Sequence, residues 1–314
     1  MAESNSVSNP MISVQNITRS FGPLMALNDL SFEVEAGEIF GLIGPDGAGK
    51  TTLFRIMATL LLADQGKITL DGLDAVEDFR TIRKHIGYMP GRFSLYQDLT
   101  VEENLSFFAT VFNTSIKENY HLIKDIYVQI EPFKKRRAGA LSGGMKQKLA
   151  LCCALIHFPK ILLLDEPTTG VDPVSRAEFW HMLGSLRNNG ITIVVSTPYM
   201  DEAGRCNRIA LMQQGSFLKM DTPDQITAQY DRTLMSVRSD SMYPLLKDLR
   251  EIPEIISCFA FGDSHHISFD QTGLKSERIV EFLKKKGHKN IDLSPIEAGI
   301  EDCFMDLSGP GEQT

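Results

Sequence analysis

The chemistry first legible in this chain lies in Gly44-Pro45-Asp46-Gly47-Ala48-Gly49-Lys50-Thr51, which fits the spacing G-x-x-x-x-G-K-[ST]. Glycines there let the backbone turn tightly, so that successive N–H groups and a helix N-terminus converge on phosphate oxygens. Lys50 adds a mobile cation, Thr51 supplies a hydroxyl for Mg²⁺, and Thr52 opens a helix-like run to Leu62. Downstream, four apolar residues, Ile161 to Leu164, end in Asp165-Glu166. Asp165 offers a carboxylate to the metal's other side, and Glu166 can orient or deprotonate a water. Between these clusters lies Leu141-Ser142-Gly143-Gly144-Met145-Lys146-Gln147. Ser142 is a good N-cap, and Gly143 and Gly144 expose free N–H groups at a helix start, which suits a second phosphate contact. A plain helix cap followed by a core stripe, Met145, Leu149, Cys152 and Ile156, accounts for the same residues.

Regular elements have to hold these groups in place. The apolar run Ile39 to Ile43 precedes the glycine loop, giving the order strand, loop, helix that phosphate binding needs. Further strands are expected at Ile12 to Ile17, Leu30 to Val34, His85 to Met89 and Ile191 to Ser196. Helices are expected at Val101 to Phe112, with Thr100 and Glu103 forming a capping box, and at Ile116 to Ile130 before Pro132. Beyond about Tyr230 the pattern changes to short strands (Leu234 to Arg238, His266 to Phe269) and helices (Met242 to Leu249, Ser276 to Lys286), a small α/β appendage.

With three motifs in this order, the chain resembles the nucleotide-binding subunit of ATP-binding cassette (ABC) transporters over about residues 11–230. Leu141 to Gln147 looks like that family's signature, Gly170-Val171-Asp172-Pro173 like its D-loop, and Phe21 like the aromatic that stacks on adenine. The resemblance implies an α/β fold of the P-loop NTPase type: a RecA-like parallel core, an antiparallel edge sheet and a helical subdomain at about residues 92–158. A loose tail at 1–10 and a C-terminal accessory domain at 231–314 flank it. It also implies ATP and Mg²⁺ as cofactors. ATP would be sandwiched between one cassette's phosphate loop and the signature of a second cassette, and membrane permease subunits would be met through the helical subdomain. The segment Phe93 to Leu105 is similar to the stretch that couples to the permease, and Ile300 to Gly309 looks like the close of the extension carried by drug- and lipid-type exporter ATPases. The chain also looks like the degenerate first cassette of tandem multidrug exporters, including its Pro-Asp-Gly-Ala-Gly-Lys loop.

Two departures from the family pattern bear on activity. Where the family places Pro-Gln, whose glutamine reaches the metal and the attacking water, Pro90 is followed by Gly91. Where it places a histidine that holds the γ-phosphate, Ser196-Thr197 is followed by Pro198, which has neither a polar side chain nor an N–H. Removing one preorganised donor costs about 2.7 to 4 kcal/mol, roughly a hundred- to a thousandfold in rate. The reading is therefore a site that binds ATP and hydrolyses it slowly, with Glu166 as the catalytic residue that orients or deprotonates the water. The intact signature would complete the active site of a different partner cassette that keeps its glutamine and histidine.

The resemblance implies a subunit bound peripherally on the cytoplasmic face of the membrane, and length, composition and charge agree with a cytoplasmic subunit. The 314 residues, 43% hydrophobic, suffice for two domains with real cores. The longest apolar run, Leu53 to Ala63, is interrupted by Arg55 and falls short of the roughly 20 residues a membrane crossing needs. Met1 to Pro10 is polar and lacks the charged and apolar regions of a signal peptide. A net charge of −8 argues against nucleic acid as a partner. The basic runs Lys134 to Arg137 and Lys284 to Lys286 read as solvated helix ends. Five cysteines without C-x-x-C spacing fit a reducing compartment. Two other functions compete with the exporter subunit: a soluble ABC ATPase acting on ribosomes or DNA, which would call for a second phosphate loop or a long coiled coil, and a non-hydrolysing nucleotide-binding regulator.

Overall fold

The computed structural model describes residues 9–270 and 275–309, so most of the tail expected at 1–10 lies outside the described residues. Contacts divide the chain into two units, Met1–Thr222 and Pro223–Thr314.

In the first unit, β1 (Ile12–Phe21) and β2 (Leu24–Val34) form a hairpin, and β3 (Ile39–Ile43) runs through the glycine loop into α1 (Lys50–Met57). The short strands β4 (Gln65–Leu70) and β5 (Leu73–Asp74) and helix α2 (Phe79–His85) lead to β6 (Ile86–Met89). Three helices follow, α3 (Val101–Val111), α4 (Ile116–Tyr127) and α5 (Gly143–Leu155). Then come β7 (Ile161–Asp165), α6 (Pro173–Asn188), β8 (Thr192–Thr197), β9 (Arg208–Gln213) and β10 (Ser216–Asp221).

Two sheets result, one ordered β2-β1-β4-β5 and antiparallel, the other β10-β9-β3-β8-β7-β6. In the second sheet every pairing is parallel except that of β9 with β10. Strands β3, β7 and β8 are buried along their whole length, as parallel strands covered on both faces must be, and their near-continuous apolar sequences follow from that. Their C-terminal ends share one edge, where ligands of open α/β sheets bind. Strand β8 lies between β3 and β7, with Ile43 opposite Thr197 and Asp165 opposite Ser196. The parallel core, antiparallel edge sheet and helical segment match the arrangement the resemblance implies.

Helix α1 begins at Lys50 and ends at Met57, short of Leu62, because the chain turns off at Thr59 with φ 59°. Thr100 and Glu103 form the expected capping box on α3, and Ser115 and Glu118 form another on α4. Leu149, Cys152 and Ile156 are buried, while Met145 is only half-buried near the exposed start of α5.

The second unit contains α7 (Pro223–Ala228), β11 (Thr233–Arg238), α8 (Met242–Leu249), β12 (Ser257–Phe261), β13 (Ser264–Phe269), α9 (Ser276–Lys285), β14 (Asp292–Pro295) and α10 (Ile300–Leu307). Its antiparallel sheet, ordered β12-β13-β11-β14, has the β-α-β-β-α-β connectivity of the split βαβ, or ferredoxin-like, motif. Leu245 and Leu249 of α8 and Ile279 and Leu283 of α9 pack on Val237, Cys258 and Ile267 of the sheet. Helix α7, which a boundary at residue 230 assigns to the first domain, belongs here: it packs on α10, whose Cys303 thiol lies 3.7 Å from the Ile226 carbonyl. Among the described residues, no helix is long and apolar enough to cross a membrane.

Candidate functional site

Glycine is required at two points of the phosphate loop. A Cβ on Gly44 would lie 2.1 Å from the Met212 carbonyl oxygen, and one on Gly49, at φ +105°, would lie 2.5 Å from that of Ala26. The loop is thereby pressed between β9 and the β1–β2 hairpin. Pro45, Asp46 and Gly47 are exposed, whereas Ala48 is buried and its carbonyl accepts the Gly215 N–H at 3.0 Å. Lys50 is 3% exposed, and its ammonium donates to the Gly44 and Pro45 carbonyls at 2.7 and 2.9 Å. Glu166 Oε1 is 3.2 Å from the same nitrogen.

The two acids meet this loop from the end of β7. Asp165 is buried, and its Oδ1 accepts the hydroxyls of Thr51 at 3.2 Å and Ser196 at 2.8 Å. Glu166 adopts φ +49°, a left-handed conformation uncommon for a residue with a side chain. Its N–H bonds to both oxygens of Ser196, Oγ at 2.9 Å and the carbonyl at 3.2 Å. Ser196 did not stand out in the sequence as a site residue. The available signal was a hydroxyl ending the otherwise apolar run Ile193 to Val195. Next door, the Tyr88 hydroxyl is pushed up to about 12 by burial and by the charge of Asp165.

Gly91 and Pro198 lie in the segments next to this cluster. A Cβ on Gly91 would lie 3.1 Å from the Asp165 carbonyl oxygen and 3.7 Å from Asp165 Oδ2 and Glu166 Cβ, so a side chain at this position would start over the acid pair. Pro198 directly follows Thr197, whose carbonyl accepts the Gly44 N–H at 3.2 Å.

Phe21 stands at the hairpin turn and is 45% exposed. The Arg19 guanidinium sits 4.9 Å from its ring centroid and is itself held by Asp64 at 2.5 Å. Phe21 rides on the same hairpin whose Ala26 presses on Gly49.

Ser142, Gly143 and Gly144 lie elsewhere in the unit, at the start of α5. Ser142 caps the helix by accepting the Met145 N–H at 3.4 Å, and Ser142 and Gly143 are exposed. Gly144 packs on α6, where a Cβ would come 2.8 Å from Ser175 Oγ, and Gly143 faces the Gly170 carbonyl. Asp172 caps α6 through the Ser175 N–H at 3.0 Å, a bond that holds its carboxyl below the usual range. Among the described residues, no hydrogen bond joins Ser142, Gly143 or Gly144 to the phosphate loop. The structure thus brings the phosphate loop, through Lys50 and Thr51, against Asp165 and Glu166, with Thr52 following in α1, and leaves the serine-glycine turn outside this cluster.

A groove of about 290 Å³ runs beside Pro90, lined by Leu60, Tyr88, Phe93, Phe108, Phe112 and His157 among others. Tyr96 and Phe107 stand exposed at 50% and 40%, their rings edge to face at 5.0 Å. His157 stacks on Phe112 at 3.7 Å, and burial lowers its pKa against the opposing bond to the Ile86 carbonyl.

A family model described as ABC transporter matches residues 27–169. The chain is 38% identical over 290 residues to the "Probable multidrug ABC transporter ATP-binding protein YbhF" of Escherichia coli (strain K12), a match covering 90% of this chain and 49% of that protein, so it spans about half that relative's length. It is 39% identical over 222 residues to "Nod factor export ATP-binding protein I" of Rhizobium sp. (strain N33), covering 70% of this chain and 73% of that one. Among solved structures, the dimeric bacterial ABC transporter cassette MJ0796 aligns with a TM-score of 0.62 at 25% identity, over 68% of this chain and 98% of that chain.

Proposed function

The chain belongs to the ABC transporter family of ATP-binding cassettes, and from that footing we propose that it is the ATP-binding subunit of an exporter whose own site hydrolyses slowly. The observation that carries the reading is the convergence of Lys50, Thr51, Asp165 and Glu166 at the shared edge of β3 and β7, with Gly91 and Pro198 beside them. The exposed loop Pro45 to Gly47 and the start of α1 would cradle the triphosphate, Lys50 would neutralise it, and Phe21 would stack on the base. Thr51 and Asp165 are hard oxygen donors already 3.2 Å apart, which suits Mg²⁺. When bound, MgATP supplies the phosphoanhydride bond and the cation that balances its charge. Glu166 would hold the water and take its proton, without a glutamine at 91 or a histidine at 198 to help it.

The partner of Ser142 to Gly144 would be the triphosphate bound by a second cassette. The dimeric state of MJ0796 supports pairing, and the two replaced positions favour a different chain as the partner. The aromatic groove around Phe93 and Phe108 would receive membrane permease subunits, placing the chain peripherally on the cytoplasmic face of the membrane. Export as the direction of transport rests on the names of YbhF and the Nod factor protein. The two replaced positions also favour a second reading, a subunit that clamps and releases without hydrolysis.

Steady-state ATPase of the purified chain, alone and mixed with an intact cassette, tests the proposal. MgATP binding with low turnover supports the slow site. Turnover comparable to a cassette with both polar groups overturns the slow site, and failure to bind MgATP overturns the whole reading.

A further inference from the structure

We propose that Ser196 is a positioning residue of the nucleotide site, one hydroxyl that fixes both the carboxylate of Asp165 and the backbone bend that aims Glu166. The inference rests on the reading of this pocket as an MgATP site. Its basis is a donor–acceptor assignment that chemistry forces. The Glu166 N–H can only donate, so Ser196 Oγ accepts there, at 2.9 Å. The hydroxyl keeps its own proton for a second partner, and Ser196 donates it to Asp165 Oδ1, at 2.8 Å. A single hydroxyl of a fully buried residue thus ties the last side chain of β7 and the backbone of the residue that follows it.

Sheet order makes this possible. Strand β8 separates the strand that feeds the phosphate loop from the strand that ends in the acids, and Ser196 lies opposite Leu42 on one side and Asp165 on the other. The other donor to Oδ1, the Thr51 hydroxyl, is longer at 3.2 Å and belongs to the residue that meets the metal. Ser196 is therefore the shorter tether on this oxygen, leaving Oδ2 on the side of Gly91. Glu166 holds a left-handed φ of +49°, which a side-chain-bearing residue keeps only under local constraint, and the Ser196 carbonyl alone holds its N–H at a longer 3.2 Å.

The test is nucleotide binding to the full chain by calorimetry, with ATP plus Mg²⁺ and with ATP plus chelator. In Ser196→Ala, the gain in affinity that Mg²⁺ confers falls about tenfold, one hydrogen bond to a charged group, while affinity in chelator stays within about twofold because the loop and Lys50 are untouched. Ser196→Thr, which keeps the hydroxyl in a β-branched frame that suits a strand, restores the Mg²⁺ effect. Ser196→Cys, similar in size with a weak donor, gives an intermediate effect and serves if the alanine protein does not fold. An alanine variant with the wild-type Mg²⁺ effect overturns the proposal, as does equal loss with and without Mg²⁺, or a threonine variant no better than alanine. A wild-type chain that binds no MgATP overturns the reading of the pocket itself, a different result from wild-type binding that Ser196→Ala leaves unchanged.

Discussion

The Lys50 ammonium lies 3.2 Å from the Glu166 carboxylate while donating to the carbonyls of its own loop at 2.7 and 2.9 Å. Three oxygens thus occupy the cation that a triphosphate would claim, and an incoming nucleotide has to displace them. Glu166→Gln removes the charged competitor. With Glu166 about one-fifth exposed, the pair is partly screened and worth about 1 kcal/mol, so MgATP affinity should rise about fivefold while turnover falls below the wild type. Titration with a fluorescent ATP analogue alongside phosphate release measures both. If transport in the assembled system is unaffected, hydrolysis at this site is dispensable.

If the site is slow for want of polar groups at 91 and 198, as proposed, supplying them should accelerate hydrolysis. Gly91→Gln starts its side chain 3.1 Å from the Asp165 carbonyl oxygen, close enough to need a small backbone adjustment. Pro198→His adds a polar ring and an N–H after Thr197. Each restored donor should raise kcat by about a hundredfold, the lower end of what one such group contributes, and the double variant should exceed either single one. Single-turnover phosphate release with saturating MgATP is the measurement.

Phe21 should matter for the base and not for the phosphates. Phe21→Ala should weaken ATP binding by about 1 to 3 kcal/mol, the range for base stacking on an aromatic side chain. Inorganic triphosphate should bind equally well to both proteins. Arg19→Met, which removes the cation over the ring, should produce a smaller loss of about 0.5 to 1 kcal/mol. Competition binding reads all three.

Acid should destabilise the first unit through His157. Burial lowers its pKa below the ordinary 6.5, so the unfolded chain takes up a proton at higher pH than the folded one. Its contribution is complete above the unfolded value and is lost as pH falls through the folded one. Melting curves from pH 8 to pH 5 should show a steeper decline below about 6.5 for the wild type than for His157→Gln. Parallel curves would contradict this.

The pocket was legible because its chemistry sits in contiguous residues. Gly44 to Thr51 form a loop whose glycines meet backbone at Met212 and Ala26, a constraint that writes itself into eight consecutive letters. Asp165 and Glu166 could be read because a fully buried strand ends there. Ser196 could not, because its partners lie 30 and 31 residues away and only the pairing of β7 with β8 brings them together. In the second unit β11, β13, α8 and α9 followed their apolar periodicity. The four residues of β14, mostly exposed and ending in Pro295, carry no such pattern, and without β12 and β14 the connectivity of that sheet stayed hidden.

The bare turn at Gly143 and Gly144 sits against Gly170 and Ser175 with no intervening side chain on its own part. Such a joint has little slack: the tip of α5 meets the Gly170 carbonyl and the Ser175 side chain directly, so a side chain at either glycine would force the two segments apart. Thr169 lies next to Gly170 and its hydroxyl reaches toward Glu166 at 3.5 Å, so the segment that the outer turn rests on is also the one that leaves the acid pair.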